Sequence, residues 1–393
     1  MKYKAFFKIL CVFLIFSILF AMVIPVGAVP VQHQSQSSNV NLSLNCKSAV
    51  LMEASTGRIL YEQNADEALP PASVTKVMTL LLVMEAIEAG KIKYTDMVRA
   101  SANACSMGGS QIYLEENEEM SVEDMIKSVV IASANDAAVA LAEHIAGTES
   151  AFVERMNQRA AELGMKNTYF ENTNGLDDTV EKHLTSAKDI AIMSRELIKY
   201  PKITEYSSIW MDTVRNGEFG LTNTNRLIRF YKGATGLKTG STSKAGFCIS
   251  ATAERDGMTL ICVIMGSSTR DIRNAAAVSL LDYGFANYTV YKNAGNTLKN
   301  IPVVRGMSSE VDAEYADFSY VCAKSELPSI TATVELPEKI EAPIKVGDVI
   351  GQVVFKISDK EIGRCDIMTK KGVEKLSFTG IFLTFLKKCA TMI

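Results

Sequence analysis

The chain has 393 residues, 48% of them hydrophobic, and a formal net charge of −3, which suits a folded protein with more than one core. No long basic run follows the N-terminal segment, so nucleic acid is not an expected partner. Eight irregularly spaced cysteines without a CxxC pair argue against a disulfide scaffold, and three distant histidines (His33, His144, His183) argue against a zinc site.

Residues 1–28 read as a secretory signal: Lys2, Lys4 and Lys8 give a positive start, Ile9 to Ile24 an apolar run, and Val26-Gly27-Ala28 a cleavage site after Ala28. Loss of the three lysines takes the net charge from −3 to −6. Residues 29–45 are rich in Ser, Asn and Gln and read as a flexible leader. Ser48 to Glu53 and Ile59 to Tyr61 flank Ser55-Thr56-Gly57-Arg58, a hairpin pattern. Pro70-Pro71-Ala72 breaks the chain before a helix over Val74 to Ala89, in which Val77, Leu80, Leu81, Met84 and Ile87 follow helical spacing. Further helices are expected over Val122 to Ala132, Asp136 to Ala146 and Thr185 to Leu197, the last with Lys188 and Asp189 on its surface side.

Strand patterns dominate after residue 230. Lys238-Thr239-Gly240 is expected to open a strand. Gly246 to Ala253 and Met258 to Met265 form a hairpin about Asp256-Gly257, in which Cys248 and Cys262 act as small hydrophobes. A helix over Asp271 to Phe285 completes a mixed α/β domain with an antiparallel sheet. From about residue 290 to 376 short β-rich runs alternate with turns, the pattern of a small all-β domain. In the last segment, Phe378, Ile381, Phe382, Phe385, Leu386 and Cys389 fall on one side of a helical wheel, with Lys387 and Lys388 on the other. That segment is too short to span a bilayer and fits a helix lying in the membrane plane.

Three motifs carry the chemistry: Ser73-Val74-Thr75-Lys76, Ser133-Ala134-Asn135 and Lys238-Thr239-Gly240. A serine hydroxyl needs a base, and Lys76 lies one helical turn beyond Ser73. Lysine acts as a base only when burial or a neighbouring cation lowers its pKa, and Lys238 is a candidate for that cation. Ser133 can relay a proton and the Asn135 amide can hold a substrate carbonyl. Gly240 lets a ligand backbone lie against a sheet edge, with Lys238 and Thr239 placed for a carboxylate. The N–H groups of Ser73 and Ser241 are a candidate oxyanion pair. Each motif alone also reads as an ordinary cap or turn.

Together the motifs resemble those of the penicillin-recognising serine transferases. More narrowly, the chain resembles the low-molecular-mass penicillin-binding proteins that are serine-type D-Ala-D-Ala carboxypeptidases, through Pro71 to Lys76, Phe170 to Leu176 and Gly236 to Gly240. The resemblance implies a β-lactamase/transpeptidase-like domain over residues 46–288, an all-β domain over 289–376 and an amphipathic anchor helix over 377–393. It implies Ser73 as nucleophile, Lys76 as base and Ser133 as proton relay. Substrate binding falls to Asn135, Lys238, Thr239, Gly240, Ser241 and Arg273, with Arg270 competing for the last role. No metal or cofactor is implied. Expected partners are the peptidoglycan stem peptide, β-lactams as covalent inhibitors and the outer face of a bacterial cytoplasmic membrane. The rivals are a D,D-endopeptidase or transpeptidase, a β-lactamase, and a non-catalytic penicillin-binding sensor. Glu171 lacks the Glu-x-x-x-Asn spacing of the class A lactamases, because Asn172 and Asn174 stand at other offsets.

Overall fold

The computed structural model describes residues 42–390. The expected signal segment, most of the leader and the last three residues of the tail lie outside that range.

The first domain is built on a five-stranded antiparallel sheet. Its strands are β1 (Ser48–Glu53), β2 (Ile59–Gln63), β3 (Ala234–Thr242), β4 (Gly246–Arg255) and β5 (Met258–Ser267), in the spatial order β2-β1-β5-β4-β3. Strand side chains alternate between faces, so a continuous apolar run is expected where both faces are covered. Strand β5 is such a run. Ile261, Val263 and Met265 enter the larger core, and Leu260, Cys262 and Ile264 enter the core on the opposite face. Each fully buried aliphatic side chain contributes about 1.5–3 kcal/mol.

The larger core holds helices α1 (Lys76–Glu88), α2 (Asn135–Ala146) and α3 (Ala187–Leu197); helix α4 (Arg270–Asn287) covers the other face. Helix α1 buries Val77, Met78, Leu80, Leu81 and Met84. It begins two residues later than its periodicity suggests, because Ala72–Thr75 winds as a 3-10 turn. Two further expectations need correction. Asp189 is buried rather than on the surface, its carboxylate accepting from the Asn167 N–H and the Thr168 hydroxyl, each at 2.8 Å. Lys238-Thr239-Gly240 does not open its strand but lies within the second half of β3.

The strands from Tyr288–Asn293 to Lys360–Thr369 form a two-stranded ribbon and a six-stranded sheet, the expected all-β architecture. Their core centres on Phe355, with Phe318 stacked on it at 4.0 Å. The two parts meet where Arg58 donates to the Val321 carbonyl and Lys324 Nζ donates to the Phe285 carbonyl at 2.7 Å. The latter places a cation at the C-terminal end of α4, where the helix dipole favours it. Beyond lies helix α5 (Phe378–Ala390), which leaves Phe378, Ile381, Phe382, Leu383 and Phe385 exposed. No described helix is long and apolar enough to cross a membrane. Cys248 and Cys262 are buried inside β4 and β5, as expected of small hydrophobes.

Candidate active site

Ser73 stands in the 3-10 turn that leads into α1, immediately after Ala72. Ala72 has φ 50°, a left-handed conformation that costs an L-residue about 1–2 kcal/mol. The loop Phe170–Leu176 presses on this turn. A Cβ on Gly175, itself at φ 87°, would lie 1.8 Å from the Ala72 carbonyl oxygen.

Lys76 points from the first turn of α1 into a fully buried position. Its Nζ lies 2.9 Å from Ser73 Oγ and 2.8 Å from the Asn174 carbonyl oxygen, and it bonds to Asn135 Oδ1. Burial holds its pKa well below the ordinary lysine value; the charge of Lys238 pushes the same way and Asp136 opposes it. A neutral amine has two N–H groups and one lone pair. Asn174 O and Asn135 Oδ1 only accept, so they take the two hydrogens, and the lone pair is left for the Ser73 hydroxyl. The surroundings of Lys76 thus suit a base for Ser73.

Ser133 and Asn135 converge because the helix before them ends abruptly. Residues Ser128–Ala132 wind as a π-helical turn, Ser133 takes φ 65°, and α2 starts afresh at Asn135. Such π turns concentrate at functional sites. Ser133 Oγ accepts from Lys238 Nζ at 2.8 Å, so the second motif is tied to the third. Asn135 Nδ2 donates to the Gly108 carbonyl at 2.7 Å while its oxygen holds Lys76. In the free protein the Asn135 amide is therefore occupied in fixing Lys76, a use its spacing did not reveal.

Lys238 is buried, and its pKa is pushed down to about 7 by that burial and then by the Arg273 guanidinium. Strand β3 is the edge of the sheet. A Cβ on Gly240 would lie 2.8 Å from both Ser73 N and Pro71 O, so only glycine lets the strand approach the Ser73 turn this closely. Beside it opens a cleft of about 710 Å³ lined by Ser73, Thr239, Gly240, Ser241, Arg226, Arg270 and Arg273, with Trp210, Phe230 and Phe247. The lining side chains include three guanidiniums and no carboxylate, which suits an anionic ligand. Arg273 is buried and donates to the Cys248 carbonyl, whereas Arg270 is exposed. Both arginines considered from the sequence therefore reach the cleft. Arg226 is a third, missed because it belongs to no motif and comes from a loop preceding β3.

His183 was also missed as part of this neighbourhood. Its Nε2 is 2.7 Å from Thr75 Oγ1. Burial depresses its pKa to about 4, against a smaller opposing effect of Glu171 and Asp177. Between pH 6.5 and 4 the unfolded chain binds the proton that the folded one refuses. Stability contributed by the neutral imidazole is thus complete above pH 6.5 and lost as pH falls towards 4, by about 3 kcal/mol for this residue. Urea unfolding of wild type against His183→Gln should diverge in pH dependence across that window, and parallel curves would refute the assignment.

A serine turn with a buried lysine beside it, a Ser/Asn pair and a Lys-Thr-Gly edge strand on an antiparallel sheet make the arrangement expected of a penicillin-recognising serine peptidase. Residues 32–269 match the D-alanyl-D-alanine carboxypeptidase family, and residues 285–375 match the C-terminal domain of penicillin-binding protein 5. The chain is 42% identical to the D-alanyl-D-alanine carboxypeptidase DacF of Bacillus subtilis, over 88% of this chain and 90% of that protein. It is similar to the structure of penicillin-binding protein 5 from Haemophilus influenzae, with TM-score 0.73 and 34% identity over 84% of this chain and 98% of that one. It is also similar to penicillin-binding protein D2 from Listeria monocytogenes in its ampicillin-bound form, with TM-score 0.58 and 32% identity over 63% of this chain and all of that one. The chain belongs to the D-alanyl-D-alanine carboxypeptidase family, and is a serine-type carboxypeptidase with the architecture of a low-molecular-mass penicillin-binding protein.

Proposed function

We propose that the protein removes the terminal D-alanine from peptidoglycan stem pentapeptides through an acyl-enzyme on Ser73. The observation that carries this reading is the hydrogen-bond set of Lys76, whose two acceptor partners leave its lone pair for the Ser73 hydroxyl. Ser73 Oγ attacks the penultimate D-alanine carbonyl as Lys76 takes its proton. The N–H groups of Ser73 and Ser241 receive the oxyanion, while Lys238, Thr239 and the cleft arginines receive the terminal carboxylate. When the C–N bond breaks, the amine leaves with a proton that passes through Ser133. Water then attacks the ester, Lys76 takes a proton from it, and Ser73 recovers its own. A β-lactam enters by the same attack on its ring carbonyl; the ampicillin-bound relative supports this.

The test is release of one D-alanine per pentapeptide, with the penicilloyl mass mapped by digestion to the peptide containing Ser73. An adduct elsewhere, or cleavage of cross-linked dimers without D-alanine release, would contradict the proposal.

The proposal extends to location: the exported enzyme rests on the outer face of the cytoplasmic membrane through α5. Five exposed apolar side chains on a helix of 13 residues support an in-plane seat. Deletion from Ser377 onward should release the protein from anionic vesicles in a flotation assay while D-alanine release from soluble peptide continues. Retention on the vesicles would count against the helix as anchor.

A further inference from the structure

His183 belongs to none of the three motifs, yet it lies buried against the turn that carries Ser73. Its Nδ1 accepts from the Glu171 backbone N–H at 3.0 Å, which leaves the single proton of the neutral ring on Nε2. That proton is donated to Thr75 Oγ1, 2.7 Å away. The Thr75 hydroxyl in turn donates to the Ala72 carbonyl oxygen at 2.8 Å. Every donor and acceptor in the chain is thereby assigned in one direction, from Glu171 to Ala72. The Phe170 ring packs edge-on against the imidazole, with centroids 5.7 Å apart, and holds it in place.

The end of this chain falls on the residue that most needs holding. Ala72 has a left-handed backbone, and the next residue is Ser73. Thr75 immediately precedes Lys76, so the hydroxyl that holds the Ala72 carbonyl belongs to the same short turn as both Ser73 and Lys76.

We infer that His183 is a positioning residue for acylation, acting through the Thr75 hydroxyl to hold the Ala72 carbonyl and so to set Ser73 Oγ against Lys76 Nζ. The imidazole does not take part in proton transfer to the substrate. The inference rests on Ser73 being the acylated residue.

The test uses the full chain as wild type, His183→Ala, His183→Gln, Thr75→Val and the double variant His183→Ala/Thr75→Val. Readouts are the second-order acylation rate by a fluorescent penicillin, kcat and KM for D-alanine release, and the thermal midpoint. His183→Ala and Thr75→Val should each lose about 10–100-fold in acylation, carried by kcat rather than KM, because small misplacements of reacting groups cost this much. His183→Gln, which keeps an N–H near the position of Nε2, should stay within about threefold of wild type. The double variant should be no slower than the slower single variant, since both break one chain. A folded His183→Ala or a Thr75→Val that acylates at the wild-type rate overturns the inference, as do losses that multiply in the double variant. If His183→Ala does not fold, a slow Thr75→Val beside a fast His183→Gln supports the inference, and a fast Thr75→Val overturns it. A wild-type adduct mapped away from Ser73 refutes the nucleophile itself, and is read from the peptide mass independently of the rates.

Discussion

Lys76→Ala is expected to slow acylation of Ser73 by about 10²–10⁴-fold, the usual range for a positioned general base, while non-covalent binding of the penicillin changes little. The asymmetry follows from where Lys76 sits. It is fully buried behind Ser73, held by Asn135 and Asn174, and is not among the groups lining the cleft. The arginines and Thr239, which meet the ligand carboxylate in our scheme, are left untouched. Lys76→Arg should be as slow as the alanine variant although it keeps the charge, because a guanidinium does not give up its proton in the working pH range. Stopped-flow acylation at several penicillin concentrations separates the binding constant from the chemical rate. An acylation rate equal to wild type in Lys76→Ala would remove Lys76 as the base.

Gly175→Ala is expected to destabilise the first domain by about 2–5 kcal/mol, combining a left-handed backbone with overpacking, and to abolish penicillin labelling. The added methyl would sit 1.8 Å from the Ala72 carbonyl oxygen and 2.8 Å from Thr75 Oγ1. The first obstacle is backbone, so no side-chain rotation relieves it. Either the loop carrying Asn174 lifts, taking one hydrogen-bond acceptor from Lys76, or the Ser73 turn shifts. Both outcomes damage the same few ångströms. Chemical denaturation and labelling should therefore fail together; a stable, fully labelled Gly175→Ala would mean that the loop and the turn are not in this contact.

These two residues also mark what is legible in a sequence. Lys76 is legible because its partner, Ser73, lies one helical turn away, and local spacing is enough to join them. The three motifs, the antiparallel sheet and the all-β second domain follow from patterns of the same short range. Gly175 belongs to a segment that carried the family resemblance, but its contact with Ala72 spans about a hundred residues of chain and no local pattern expresses it. His183 and Arg226 are hidden for the same reason. Asp189 was misread for another: a charged residue on a helix suggests solvent, and only the fold reveals that Asn167 and Thr168 supply donors for a buried carboxylate. Asn135 was read towards the substrate, whereas in the folded chain both ends of its amide are already taken by Lys76 and Gly108.

Helix α4 links two places usually considered separately. Its first turn carries Arg270 and Arg273 into the cleft, and its last turn offers the Phe285 carbonyl to Lys324 of the all-β domain. Eighteen helical residues make a rod of about 27 Å. The guanidiniums of Arg270 and Arg273 in the cleft wall and the joint with the second domain are thus mounted on one stiff strut. A force that tilts the all-β domain is delivered along that strut to the cleft wall rather than absorbed by a slack linker. The setting of the all-β domain and the shape of the arginine-lined cleft are thereby coupled through a single helix.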